Sequence, residues 1–83
     1  MARSSKVSFK NRDRYLELGL KIAYYRKREG MTQEQLAEKA SISRSFLGEI
    51  EAPNMVKPLS LEVLFNIADA LKIPVTKLLE FRD

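Results

Sequence analysis

Apolar residues along this chain recur every three or four positions, with little of the alternation that marks strands, and the pattern predicts five helices. The first starts near Asn11 or Asp13, either of which can cap it, and stops before Gly30, a residue suited to a left-handed helix end. Tyr15, Leu18, Ile22 and Tyr25 fall on one face. Leu16, Leu20 and Tyr24 form a flanking stripe, so the apolar surface is wider than one partner helix needs. Arg26, Lys27 and Arg28 fill the last turn, where positive charge complements the macrodipole.

The second helix has the clearest start in the chain. Thr32 can cap the Gln35 amide while the Gln35 side chain reaches back, a capping box. Leu36, Ala37 and Ala40 face inward, and the helix ends around Ala40 or Ser41. A third helix begins two or three residues later, capped by Ser43. It carries Phe46, Leu47 and Ile50 and ends near Glu51, because Pro53 soon follows. Residues 52–60, with two prolines, form a loop. Ser60 caps a fourth helix with Leu61, Leu64, Ile67, Ala68 and Leu71 inward. After the Ile73-Pro74 break, a last short helix runs from about Val75 to Phe81.

Two short helices joined by a tight turn, over about residues 32–51, match the shape of a helix-turn-helix. Ala37 permits close approach, Ile42 fills the turn, and Leu47 and Ile50 seat the third helix on the second. The stretch "LGLKIAYYRKREGMTQEQLAEKASISRSFLGEIE" resembles the helix-turn-helix of the lambda-repressor and Cro-type (XRE) transcription regulators. The likeness is strong from Leu18 to Glu51 and looser through "SLEVLFNIADALKIPVTKLLE". It implies an all-α fold, a compact five-helix lambda-repressor-like DNA-binding domain whose helices two and three form the helix-turn-helix.

The resemblance also implies roles for particular residues. The third helix is expected in the major groove of double-stranded DNA, presenting Arg44, Ser45, Gly48 and Glu49 outward. Arg44 can donate two bonds to guanine, Ser45 can bond a base or a phosphate, and Glu49 can accept from cytosine N4. Gln33, Thr32, Ser43 and Lys57 are the expected phosphate contacts, with Gln33 acting beside the free amides that open the second helix. Arg26 and Glu51 are expected to pair and lock the reading helix to the scaffold, so neither is counted as a base reader. Against these readings stand plainer ones: Arg44 as a solvated charge, Ser45 as surface filler, Glu49 as a bystander.

The chain also departs from the family. Ser41 stands where glycine is frequent in the turn, and Ala23 where a basic residue is frequent. Gly48 lowers helix stability by about 1 kcal/mol relative to alanine, and its missing side chain would let the helix approach the groove closely.

Composition narrows the function classes. The 83 residues have room for one small domain, and they contain neither cysteine nor histidine. That leaves no disulfide, no thiolate or imidazole metal ligand and no histidine-based acid–base chemistry, so neither an enzyme nor a metal or cofactor is expected. No apolar run is long enough to span a bilayer, and a cytoplasmic protein is expected. The net charge of +4 has an informative location. Arg3, Lys6, Lys10 and Arg12 lie in residues 1–12 without an acid, while beyond them the basic residues match the 11 acids one for one. Residues 1–12 thus read as a flexible basic arm that follows the phosphates or enters a minor groove, ahead of a single domain over 13–83. The alternative is a solvated leader. Removing residues 1–10 is expected to lower DNA affinity and flatten its salt dependence.

One such unit makes few contacts, and the family usually doubles them with a twofold homodimer on a palindrome. Val75, Leu78, Leu79 and Phe81 are candidates for the dimer surface, with Met55 and Val56 beside them. Their other reading is core closing on Leu16 and Leu20. A different class remains open: an antitoxin-like interaction module whose DNA binding depends on a regulatory protein partner. No ligand-binding or oligomerisation domain is expected after Asp83, so effector sensing is expected to come from a partner or to be absent.

Overall fold

A computed structural model describes residues 7–81, and the regular structure among them is entirely helical. A 3-10 turn at Phe9–Asn11 leads into α1 (Arg12–Arg28). There follow α2 (Gln33–Ala40), α3 (Arg44–Glu51), α4 (Leu61–Leu71) and a closing 3-10 turn at Val75–Leu78. The expected fifth helix is therefore corrected to a single 3-10 turn. Pro74 is extended (φ −65°, ψ 144°), Leu79 has already left the helical region (φ −108°, ψ 13°), and Leu78 is fully buried. So short a segment does not recover the cost of nucleating an α-helix, and burying Leu78 needs only one turn.

Helix starts follow the capping side chains. Thr32 Oγ1 accepts from the Gln35 amide at 3.1 Å, and Gln35 Oε1 accepts from the Thr32 amide at 2.9 Å. Ser43 and Ser60 accept from the amides of Phe46 and Val63 at 3.0 and 3.1 Å. At α1 the outcome differs. Asn11 holds the cap position, but its side chain accepts from Arg14 Nη1 at 2.9 Å and caps no backbone amide, while Asp13 lies inside the first turn.

The ends of α1, α2 and α4 repeat one device. Gly30, Ser41 and Lys72 take left-handed φ values of 74°, 60° and 61°. Each end is closed by two backbone bonds: Gly30 to Lys27 and Met31 to Arg26, Ser41 to Glu38 and Ile42 to Ala37, Lys72 to Asp69 and Ile73 to Ala68. These are Schellman pairs, and in each the next residue (Met31, Ile42 or Ile73) is apolar and packs on the core. Ser41 and Lys72 lack glycine's freedom at positive φ, so the anchoring of Ile42 and Ile73 offsets their strain.

The core joins Leu18 and Ile22 of α1, Leu36, Ala37 and Ala40 of α2, Leu47 and Ile50 of α3, and Leu64, Ile67, Ala68 and Leu71 of α4, with Leu78 beneath. α2 packs most extensively on α4, and α3 packs on α1 and α2. One expectation is corrected here. Leu61, expected inward, is 65% exposed, because at the first position of α4 it reaches the rim of a surface groove beyond the core. On α1 the core takes the Leu18–Ile22 face, while Leu20 and Tyr24 of the flanking stripe stay exposed.

Candidate nucleic-acid interface

Two contacts, both at the C-terminal end of α3, fix how it sits. Gly19 in α1 is buried, and a Cβ built on it would overlap the carbonyl oxygen of Ile50. The backbones of α1 and α3 therefore touch where only glycine fits. Beside this contact, Arg26 Nε donates to Glu51 Oε2 and Arg26 Nη2 to Glu51 Oε1, both at 2.9 Å. The two residues are 9% and 7% exposed, so this is a buried, two-bond ion pair. Arg26 Nη1 also donates to the Met31 carbonyl at 2.7 Å, and Gln33 Nε2 to Glu51 Oε1 at 3.0 Å. One guanidinium thus holds the end of α1, the turn into α2 and the end of α3 in a fixed relation.

With Leu47 and Ile50 buried, the N-terminal part of α3 turns Arg44 and Ser45 to solvent, with Gly48 and Glu49 partly exposed on the same side. Arg44 makes no hydrogen bond or ion pair with the described residues. Gly48 has room around it: an added Cβ would meet only Gln33 Oε1, at 3.7 Å.

Several expected phosphate contacts are already engaged. The Gln33 side chain donates to Glu51 Oε1 through Nε2 and so also takes part in the brace. Its backbone amide, at the first position of α2, has no partner within the helix and keeps its donor. Thr32 differs, since its amide is taken by Gln35, although its hydroxyl proton remains available alongside that of Ser43. Lys57 Nζ sits 3.0 Å from Glu49 Oε1 and 5.8 Å from the ring centroid of Phe46. The expected base reader Glu49 and the expected phosphate contact Lys57 are thus partners of each other.

Half of the basic arm, residues 1–6 with Arg3 and Lys6, lies outside the described residues. Lys10 lies in the first 3-10 turn, and Arg12 opens α1 with its guanidinium carbon 5.9 Å from the Phe9 ring centroid, so the helical body begins ahead of residue 13. Among the dimer candidates, Leu78 is corrected to core, at 0% exposure, because the 3-10 turn drives it beneath α1 and α4. Val75 and Phe81 are half-buried against that core, and Leu79 is exposed. Leu61, Phe65 and Leu79 are the large apolar residues that α4 and the segment after it leave exposed.

Sequence reasoning missed the Gly19 contact, the Gln33 bond and the Lys57–Glu49 pair. A glycine inside an otherwise apolar helical stretch is a signal for the first. The other two join residues of different elements and leave no local trace.

The Helix-turn-helix family profile matches residues 22–78. The HTH-type transcriptional regulator SinR of Bacillus licheniformis is 35% identical over 66 residues, covering 80% of this chain and 59% of that protein. The immunity repressor protein of Bacillus phage phi105 is 44% identical over 61 residues, covering 74% of this chain and 41% of the relative. This chain therefore spans roughly half the length of these relatives, between 41% and 59%. Among solved structures, the N-terminal DNA binding domain of SinR from Bacillus subtilis superimposes with a TM-score of 0.71 at 33% identity, covering 81% of this chain and 96% of that one.

Proposed function

The chain belongs to the XRE-type helix-turn-helix family of DNA-binding transcription regulators, and from that premise we propose that it reads a specific double-stranded DNA sequence as a homodimer. α3 enters the major groove, Arg44 bonds guanine, and Ser45 and Glu49 touch neighbouring bases. Phosphates meet the Gln33 amide and the hydroxyls of Thr32 and Ser43 at the two helix starts. The observation that carries this reading is Arg44, exposed and without a partner among the described residues, on a helix whose other end is braced.

The short reading face favours two copies on a palindrome. Leu61, Phe65 and Leu79 are 65%, 47% and 43% exposed, apolar surface that a second copy would cover. Leu61 and Leu79 rim an open groove of about 320 Å³ that Tyr15 and Phe81 also line. We assign the dimer contact to this face.

Selection of bound sequences from random duplex DNA, at a stated salt concentration, tests the reading. It should enrich an inverted repeat with half-sites about one helical turn apart, and Arg44→Ala should remove one guanine from each half. No enrichment would overturn sequence-specific binding. A single unrepeated site would overturn the dimer.

A further inference from the structure

The loop between α3 and α4, residues 52–60, reaches back onto the reading helix through Lys57. Its ammonium lies 3.0 Å from Glu49 Oε1 and 5.8 Å from the Phe46 ring centroid, so it spans one turn of α3. The side chains of Lys57 and Glu49 keep 37% and 42% of their exposure, and an ion pair that open adds little to folding stability. Its consequences lie at the surface.

A bare carboxylate on a face that meets DNA is repelled by the phosphates. An ammonium at 3.0 Å offsets that charge and occupies one carboxylate oxygen, Oε1. Oε2 keeps its capacity to accept. The same bond changes what Lys57 can do, since a lysine already neutralised by a carboxylate displaces fewer counterions from DNA than a free one.

We propose that Lys57 is a positioning residue for Glu49: it holds Oε1 so that Oε2 accepts from the N4 amino group of cytosine. The loop then belongs to the sequence readout and is not an independent phosphate clamp. This rests on the DNA-reading function proposed above.

The test applies selection from random duplexes to the unsubstituted chain, Lys57→Met, Lys57→Arg, Glu49→Ala and the Lys57→Met/Glu49→Ala double variant. Affinities and thermal unfolding are measured alongside. A cytosine preference that Glu49→Ala removes should be flattened about tenfold by Lys57→Met and kept by Lys57→Arg. The guanine preference of Arg44 and the unfolding temperature should not change. With Glu49 already replaced, Lys57→Met should alter affinity less than about twofold, the non-additivity of residues acting as a unit. Additive losses, with base preference intact and a salt slope lowered by about 1, identify a phosphate clamp and overturn the proposal. So does the absence of any Glu49-dependent cytosine preference. If the unsubstituted chain enriches no sequence, the DNA-reading function itself fails and takes this proposal with it. Enrichment that Lys57→Met leaves unaltered overturns this proposal alone.

Discussion

Arg26 and Glu51 stand 25 positions apart in the chain and meet in a buried pair that joins the end of α1 to the end of α3. Removing one partner leaves the other charge in a site already withdrawn from water, which costs about 3–5 kcal/mol. A domain of this size has a total stability on the order of 4–12 kcal/mol. Arg26→Ala is therefore expected to lower the unfolding temperature sharply and to weaken DNA binding even below that temperature, because α3 loses its brace. Lysine keeps the charge without the fork, so Arg26→Lys should recover only part of both losses. Thermal unfolding and DNA titration measure this, and a variant unchanged in both would remove the bracing role.

Gly19 carries the second prediction. A methyl group there meets the Ile50 backbone, which cannot swing aside as a flexible side chain could. α1 and α3 must separate, and overpacking of this kind costs about 1–3 kcal/mol, or more when backbone has to move. Gly19→Ala should thus destabilise the fold although alanine is the better helix former. An unfolding temperature equal to or above that of the unsubstituted chain would show that the helices do not touch there.

These two contacts mark where the sequence is legible and where it is not. Helix starts were readable because Thr32, Ser43 and Ser60 bond amides three residues away, and that chemistry is local. The Arg26–Glu51 pair was reached only through family resemblance, since nothing near either residue names the other. After Pro74 the apolar spacing suits α and 3-10 geometry alike, and the burial of Leu78 needs only the single 3-10 turn. The Gln33–Glu51 bond joins residues 18 positions apart, so no local pattern announces it.

Ser41 offers a gain in stability. It holds φ 60° at the end of α2, where an L-residue is strained and glycine is not. The backbone bonds of Ser41 and Ile42 do not depend on the side chain, and the residue is exposed. Glycine's larger unfolded-state entropy offsets part of the relief. Ser41→Gly should stabilise by up to about 1 kcal/mol, raising the unfolding temperature by about 4–8 °C at the upper limit. DNA affinity should stay the same, because the turn keeps its geometry. A lowered unfolding temperature would mean that the Ser41 side chain contributes more than its strain costs.

Gly48 separates stability from function. Within the protein a Cβ there meets only Gln33 Oε1, at 3.7 Å, an ordinary contact. Gly48→Ala should therefore stabilise the free protein by about 1 kcal/mol, the difference between the two residues inside a helix. A glycine on the outward face, between Arg44 and Glu49, fits a helix that presses its backbone close to the DNA. The alanine variant should accordingly melt higher and bind its selected sequence at least about tenfold more weakly, a penalty of roughly 1.4 kcal/mol. The opposite signs of the two effects give the test its force, since a general disturbance of folding would lower both quantities. Higher stability with unchanged affinity would leave the fold as described and remove close approach at Gly48 from the binding mode.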